Sequence, residues 1–95
     1  MNKCEQLDEF MEKSAGDPRL TPVHVSVYIA LLYLHTGGQP DEPLMVTKET
    51  IMQVAKVSAR STYQKCLQEL HDFGYIKYVP SYNHFLNSAI FFLPG

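Results

Sequence analysis

The sequence has no tryptophan, only two cysteines and no long apolar run. Cys4 and Cys66 are too few for a disulfide framework, so we expect both to be thiols in a reducing compartment. No stretch approaches the roughly 20 apolar residues that span a bilayer. The polar, acidic segment from Met1 to Glu12 is unlike a secretory signal peptide. These absences predict a cytoplasmic protein that does not associate with membranes.

Sequence motifs for catalysis and for metal binding are missing as well. The chain has four histidines, but no two of them are spaced as in a helical zinc-binding pair, and no cysteine pair accompanies them. Cys66 and His71 do not share a face of the predicted helix, so Cys66 is interpreted as a core thiol. Glu69 and Asp72 are interpreted as solvated helix charges. We therefore expect no enzyme activity, no metal site and no cofactor.

What is present is the composition of one small globular domain. The chain has 95 residues, of which 45% are hydrophobic and 19% charged, close to the average for globular proteins. Six tyrosines and five phenylalanines can anchor a compact core. A chain of this length excludes a large enzyme with its own cofactor domain.

The formal net charge of −2 conceals an uneven distribution of charge. Residues 1–46 carry three basic and seven acidic side chains, and their formal charge is −4. Residues 47–79 carry five basic and three acidic side chains, and their formal charge is +2. We therefore expect an anionic partner to bind the middle of the chain.

Residues 1–16 are predicted to form an amphipathic helix that ends at Gly16-Asp17-Pro18. We assign this segment to packing or to dimerisation, and we assign residues 20–95 to the single domain that the helix precedes. The narrow apolar stripe of this helix consists of Leu7, Phe10 and Met11.

A second helix is predicted over residues 22–35. Thr21 suits the capping position at a helix N-terminus, and Pro22 suits the first helical position. The helix is apolar nearly all round, so both of its sides are expected to be buried. The second side packs either against the first helix within the domain or, together with the apolar stripe of that helix, in a homodimer seam. The first face carries Val23, Val27, Ala30, Leu31 and Leu34, and the second carries Tyr28, Ile29, Leu32 and Tyr33.

Turn signals divide the remainder into short elements. Thr36-Gly37-Gly38 ends the second helix, and Leu44 to Val46 is predicted as one short strand. Thr47 caps a helix over residues 48–55, which a tight turn at Lys56-Val57-Ser58 joins to a helix over residues 59–73.

The hydrophobic period changes after this helix. Gly74 is predicted to end the helix over residues 59–73, and the hydrophobic period then changes from 3.6 to 2 residues. Strands at 75–79 and 89–93 are expected to form a hairpin around a polar loop.

Two helices joined by a three-residue turn and followed by a hairpin have the layout of a winged helix-turn-helix. We therefore predict a mostly helical α/β fold of this kind, with a short three-stranded sheet and an extra N-terminal helix. The helix over 59–73 can enter the major groove of duplex DNA, where exposed polar side chains reach base edges and cations reach phosphates. The candidate DNA-binding residues are Lys48, Lys56, Ser58, Arg60, Ser61, Thr62, Gln64, Lys65, Gln68, Lys77, Asn83 and His84.

The sequence resembles the winged helix-turn-helix DNA-binding superfamily over about residues 20–93. Three stretches carry the resemblance, namely Thr47 to Ile51, Val57 to Tyr63 and Leu67 to Ile76. The segments from Thr62 to Leu67 and from Tyr75 to Asn83 are also similar to small winged-helix proteins of bacterial mobile elements. The resemblance implies a transcriptional regulator or an accessory protein for excision or transfer of such an element.

The loop of the predicted hairpin departs from that pattern. Its residues from Tyr82 to Ser88 carry no formal charge, whereas many such wings present Lys, Arg or Gly at the tip. Minor-groove contact by the wing is therefore in doubt, although Asn83 and His84 can donate hydrogen bonds to phosphate. The alternative is a winged-helix module that binds another protein and not DNA.

Overall fold

The computed structural model describes residues 3–35, 43–80 and 89–93. In these ranges the chain forms α1 (Lys3–Ala15), α2 (Pro22–Leu34), α3 (Lys48–Ala55), α4 (Arg60–Asp72), β1 (Ile76–Val79) and β2 (Ala89–Phe92). These helices and hairpin strands lie where the sequence predicted them, with ends that differ by one or two residues. The predicted turn after α2 and the predicted hairpin loop lie mostly outside the described residues.

Local hydrogen bonds explain where the helices begin and end. The backbone N–H of His24 donates to Thr21 Oγ1 at 3.5 Å, and the Thr21 N–H donates to His24 Nδ1 at 3.0 Å, which forms a capping box. Thr47 accepts from the Thr50 N–H at 3.3 Å at the start of α3. The predicted caps Thr21 and Thr47 are confirmed.

Gly74 ends α4 in the left-handed conformation that the sequence predicted, with φ of 86°. The Tyr75 N–H donates to Leu70 O at 2.9 Å, and the Gly74 N–H donates to His71 O at 3.1 Å. These two bonds form a Schellman motif, which satisfies the last carbonyl groups of α4.

The core lies between α2, α3, α4 and the inner side of the hairpin. Val27 and Leu31 of α2 are completely buried, as is Leu70 of α4. Phe10 of α1 stacks on Tyr28 of α2 with ring centroids 3.8 Å apart and nearly parallel ring planes. The N-terminal helix is therefore docked on α2 within one chain.

The second apolar side of α2 is only partly covered. Tyr28 and Leu32 are buried, as the packing alternative predicted. Ile29 and Tyr33 are 43% and 70% exposed, so packing within the chain does not bury these two residues, and their burial in a homodimer seam stays a prediction. The reason is that Phe10 of α1 packs on Tyr28, whereas Ile29 and Tyr33 line an open groove between α2 and α3.

The described part of the chain has a two-stranded sheet, and the prediction of three strands is wrong. β1 and β2 are antiparallel, with Ile76 opposite Phe92 and Tyr78 opposite Ile90. Leu44 forms a single bridge on the other side of β2, with its N–H donating to Ile90 O at 2.7 Å. After Leu44 only two residues precede Thr47, which caps α3, so the chain turns away from the sheet there.

Candidate nucleic-acid interface

One side of α4 is buried and the other is exposed and polar. Tyr63, Cys66, Leu67 and Leu70 point into the core, which confirms that Cys66 is a buried thiol. Their spacing follows one face of a helix, so the intervening residues lie on the opposite face. All α4 residues that the sequence singled out for DNA contact are exposed, namely Arg60, Ser61, Thr62, Gln64, Lys65 and Gln68.

The turn between α3 and α4 places exposed polar groups beside the N-terminus of α4. Lys56 has φ of 62° and ψ of 35°, and the Val57 N–H donates to Met52 O at 3.0 Å to close the turn. Ala59 occupies the N-cap of α4 without a side-chain hydrogen bond. Lys56 and Ser58 are exposed. The positive end of the α4 dipole therefore has a lysine and a hydroxyl next to it.

Arg60 is held by an acidic residue of α3. Its Nη2 atom lies 3.4 Å from Glu49 Oε1, and the two side chains are 69% and 60% exposed. Exposed ion pairs of this kind contribute at most about 1 kcal/mol. The contact is therefore weak, and a stronger acceptor can replace Glu49.

The hairpin is attached to α4 by two hydrogen bonds that involve Tyr78, one donated by Gln64 to the Tyr78 hydroxyl and one donated by the Tyr78 N–H. Gln64 Nε2 lies 3.4 Å from Tyr78 Oη, and the Tyr78 N–H donates to His71 Nδ1 at 3.0 Å. Lys77 points to the other side of β1, where its Nζ lies 5.9 Å from the centroid of Phe91. The exposed Lys77 is therefore carried on a strand whose position relative to α4 is fixed.

The remaining predicted residues are in two groups. Lys48 is exposed at the first position of α3. Asn83 and His84 lie outside the described residues. The described residues thus include exposed cations at the start of α3, in the turn and on α4, and a further one on the side of β1 that faces away from the Tyr78 contact.

A cluster that sequence reasoning missed lies on the inner side of α4. His24 Nε2 of α2 is 3.2 Å from Glu69 Oε1, and the ligand atoms of His24, Cys66 and Glu69 all lie within 4.8 Å of one another. The interpretation of Glu69 as a solvated charge is wrong, because its side chain is only 32% exposed and pairs with a buried imidazole. Asp72, by contrast, is exposed and accepts from Gln68 Nε2 at 3.1 Å.

The residues considered for a homodimer seam differ in exposure. Phe10 is buried against Tyr28 inside the chain, and so it offers no surface to a second copy. Ile29 and Tyr33 line one side of an open groove of about 340 Å³ between α2 and α3, with Val54 on the other side. A seam through these exposed residues stays a prediction.

Across the described ranges, no helix combines the length and the apolar character needed to cross a bilayer. No protein-family model matches the chain, and comparisons with curated proteins and with solved structures return no significant match. The resemblance to the winged helix-turn-helix superfamily therefore rests on the residues quoted for it and stays a prediction.

Proposed function

We propose that this protein binds duplex DNA as a winged helix-turn-helix protein, with α4 in the major groove. The observation that carries the proposal is the division of α4 into two sides. Leu67 and Leu70 anchor one side in the core, and the other side presents a continuous polar surface to solvent. A helix held in this way is rigid enough to position side chains against base edges.

The arrangement of the other elements supports the same proposal. α3 precedes α4 across a tight turn, and the hairpin follows α4 directly. Leu44, β2 and β1 lie side by side in that order, so the short bridge occupies the place of a first wing strand. The hairpin stands beside α4, where it can contact the backbone that flanks the groove.

The exposed residues of α4 have the chemistry for both kinds of contact. Arg60 can donate two hydrogen bonds to guanine O6 and N7, and Gln64 and Gln68 can pair with adenine. Ser61, Thr62 and Lys65 suit phosphate oxygens. Further phosphate contacts are assigned to exposed cations outside α4, namely Lys48, Lys56 and Lys77.

The mechanism is occupancy of a DNA site and not chemistry. A protein of this kind acts by blocking or positioning other proteins at the site, and this fits a transcriptional regulator or an accessory protein of a mobile element. The negative charge of residues 1–46 lowers affinity for DNA in general, so the contacts of α4 must select the site.

Arg60→Ala tests the proposal directly. We expect specific binding to weaken by about 1–3 kcal/mol and selectivity to relax at one base pair, because a bidentate guanine contact is lost. Sites selected from a random duplex pool, followed by titration of the best site, measure both effects. Glu49→Gln is the control, since it removes the ion pair and leaves Arg60 in place. Unchanged affinity and selectivity in Arg60→Ala would contradict the assigned role.

A module that binds another protein is the second candidate function. The groove lined by Ile29, Tyr33 and Val54 is apolar and exposed, and Val79 on the outer side of the hairpin is 42% exposed. Titration of random-sequence duplex at low salt separates the two candidates. Binding that weakens with added salt supports DNA, whereas no binding at low salt supports the protein module.

A further inference from the structure

The cluster on the inner side of α4 joins two helices that are far apart in sequence. His24 lies at the third position of α2, and Cys66 and Glu69 lie one turn apart on α4. His24 and Cys66 are 3% and 5% exposed, and the half-buried Glu69 connects the cluster to solvent. The cluster thus offers an imidazole, a thiol and a carboxylate at one point.

We propose that His24, Cys66 and Glu69 bind a zinc ion, with a water molecule as the fourth ligand on the side open to solvent. Neighbouring ligand atoms of a tetrahedral zinc site lie roughly 3.3–3.8 Å apart. The 3.2 Å between His24 Nε2 and Glu69 Oε1 is close to that spacing. One ligand atom from each of the three side chains lies within 4.8 Å of the other two, so a displacement of about 1 Å by side-chain rotation completes the site.

The type of ligand favours zinc over other common ions. Imidazole suits zinc and copper, thiolate selects the softer metals, and a carboxylate is tolerated by zinc. Burial, followed by the charge of Glu69, raises the pKa of the Cys66 thiol. A divalent cation reverses this effect because it binds the thiolate directly and neutralises the carboxylate as well. The loaded site then has no net charge.

Protons balance in this binding step. In the metal-free protein His24 Nδ1 accepts the Thr21 N–H, so the neutral ring carries its proton on Nε2, next to Glu69. Zinc takes the Nε2 position, and the ring proton moves to Nδ1, where Thr21 Oγ1 is an acceptor at 2.8 Å. Thr21 is exposed, so its N–H can bond to water. The Cys66 thiol gives its proton to solvent, and one proton is released for each zinc ion bound.

This site goes beyond the proposed DNA binding and does not depend on it. It would tie the start of α2 to the middle of α4, because its ligands come from both helices. Ligand binding to the folded state alone stabilises that state, so zinc should raise the Tm of the whole chain.

Cobalt(II) is the first probe, because cobalt bound to a thiolate gives a strong charge-transfer absorption. The full chain is titrated with cobalt in a thiol-free reductant, and zinc is then added to displace it. We expect one bound ion and the charge-transfer band in the unchanged protein and in Cys4→Ala, which removes the exposed thiol on α1. The band should be lost in Cys66→Ala. Absence of the band in the unchanged protein, or its loss in Cys4→Ala alone, overturns the proposal.

Calorimetry with zinc in two buffers of different ionisation enthalpy provides the second test. We expect release of about one proton per zinc ion. Glu69→Gln serves as the second variant, since its amide oxygen still accepts from His24 Nε2 and the helices stay joined. Its zinc affinity should fall by roughly tenfold or more. Release of no proton, or unchanged affinity in Glu69→Gln, rules out the three-residue site even if Cys66→Ala does not fold.

Discussion

Lys56 occupies a backbone conformation that costs energy for any residue with a Cβ atom. Its φ of 62° lies in the left-handed region, where glycine is the usual residue. Lys56 ends α3 there and lies beside the N-terminus of α4. A charged side chain at a position that favours glycine is consistent with a phosphate contact.

Lys56→Gly should separate stability from binding. We expect the free energy of unfolding to rise by about 1 kcal/mol and the Tm by a few degrees, because the left-handed strain is removed. DNA affinity should fall at the same time, since one cation is lost. Lys56→Gln is the matched control, because it removes the charge and keeps the Cβ. Higher stability with unchanged affinity would remove Lys56 from the interface.

Asp17 connects the loop between α1 and α2 to the hairpin. Its carboxylate accepts from Arg19 Nε and Nη2, both at 2.8 Å, and from Tyr75 Oη at 2.9 Å. The hydrogen bonds from the Arg19 side chain are the main reason that the pKa of Asp17 lies well below its usual value. Burial and the bond to Asp17 raise the pKa of Tyr75 to about 12.

The low pKa of Asp17 makes this contact a source of acid sensitivity. The folded chain keeps the carboxylate charged at pH values where the unfolded chain binds a proton. The contribution of Asp17 to the free energy of unfolding is therefore complete above the ordinary pKa of 3.8. It is lost as the pH falls towards the pKa that Asp17 has in the folded chain. The difference in urea midpoint between the unchanged protein and Asp17→Asn should be largest at about pH 7 and shrink below about pH 4. A difference that is constant with pH would contradict this.

At the scale of elements, α1 is anchored by one aromatic side chain, Phe10. Phe10 is 2% exposed, stacks on Tyr28 and meets the edge of Tyr75 with centroids 5.4 Å apart. Phe10→Ala should cost about 3–5 kcal/mol and release α1, because it leaves a cavity at the only aromatic anchor of that helix in the described chain. Urea unfolding followed by far-UV circular dichroism measures both effects. Met11→Ala, at a position 45% exposed, should change stability by less than about 0.5 kcal/mol. Equal losses of stability in Phe10→Ala and Met11→Ala would mean that α1 is not docked on α2.

Elements with local signals were predictable, and those that depend on distant partners were not. Caps at Thr21 and Thr47 and the stop at Gly74 mark element ends by contacts within a few residues. The apolar stripe of α1 was predicted without Gln6, which is buried because its amide donates to Tyr28 Oη at 2.8 Å. No local pattern indicates that contact.

Two further differences between the prediction and the structure also arise from contacts between residues that are far apart in sequence. The strand expected at Leu44 is reduced to one bridge, since the partner strand and the cap of α3 together decide how long it is. His24 and Glu69 are 45 positions apart, so neither periodicity nor spacing could bring them together. The exposed side of α4 was predictable except at Glu69, because the buried residues that define it follow a helical period.

At the scale of the whole molecule, charge limits how DNA binding can respond to salt. The cations around α4 are exposed, and four of them are assigned to phosphates: Lys48, Lys56, Lys65 and Lys77. Each phosphate contact contributes about 0.9 to the slope of log K against log salt, so the slope should be no steeper than about −3.6. The negative field of residues 1–46 adds no counterion release and cannot make it steeper.

Lys65→Ala should reduce that slope by about one unit and weaken binding to every sequence alike, since a phosphate contact carries no base information. Fluorescence anisotropy at several salt concentrations, with a selected and a random duplex, gives both quantities. Lys3→Ala is the control for the loss of one positive charge away from α4. If the slope of the unchanged protein is much steeper than about −3.6, the protein must make phosphate contacts beyond the four lysines. If Lys65→Ala leaves the slope unaltered, α4 must lie in a different orientation on the duplex.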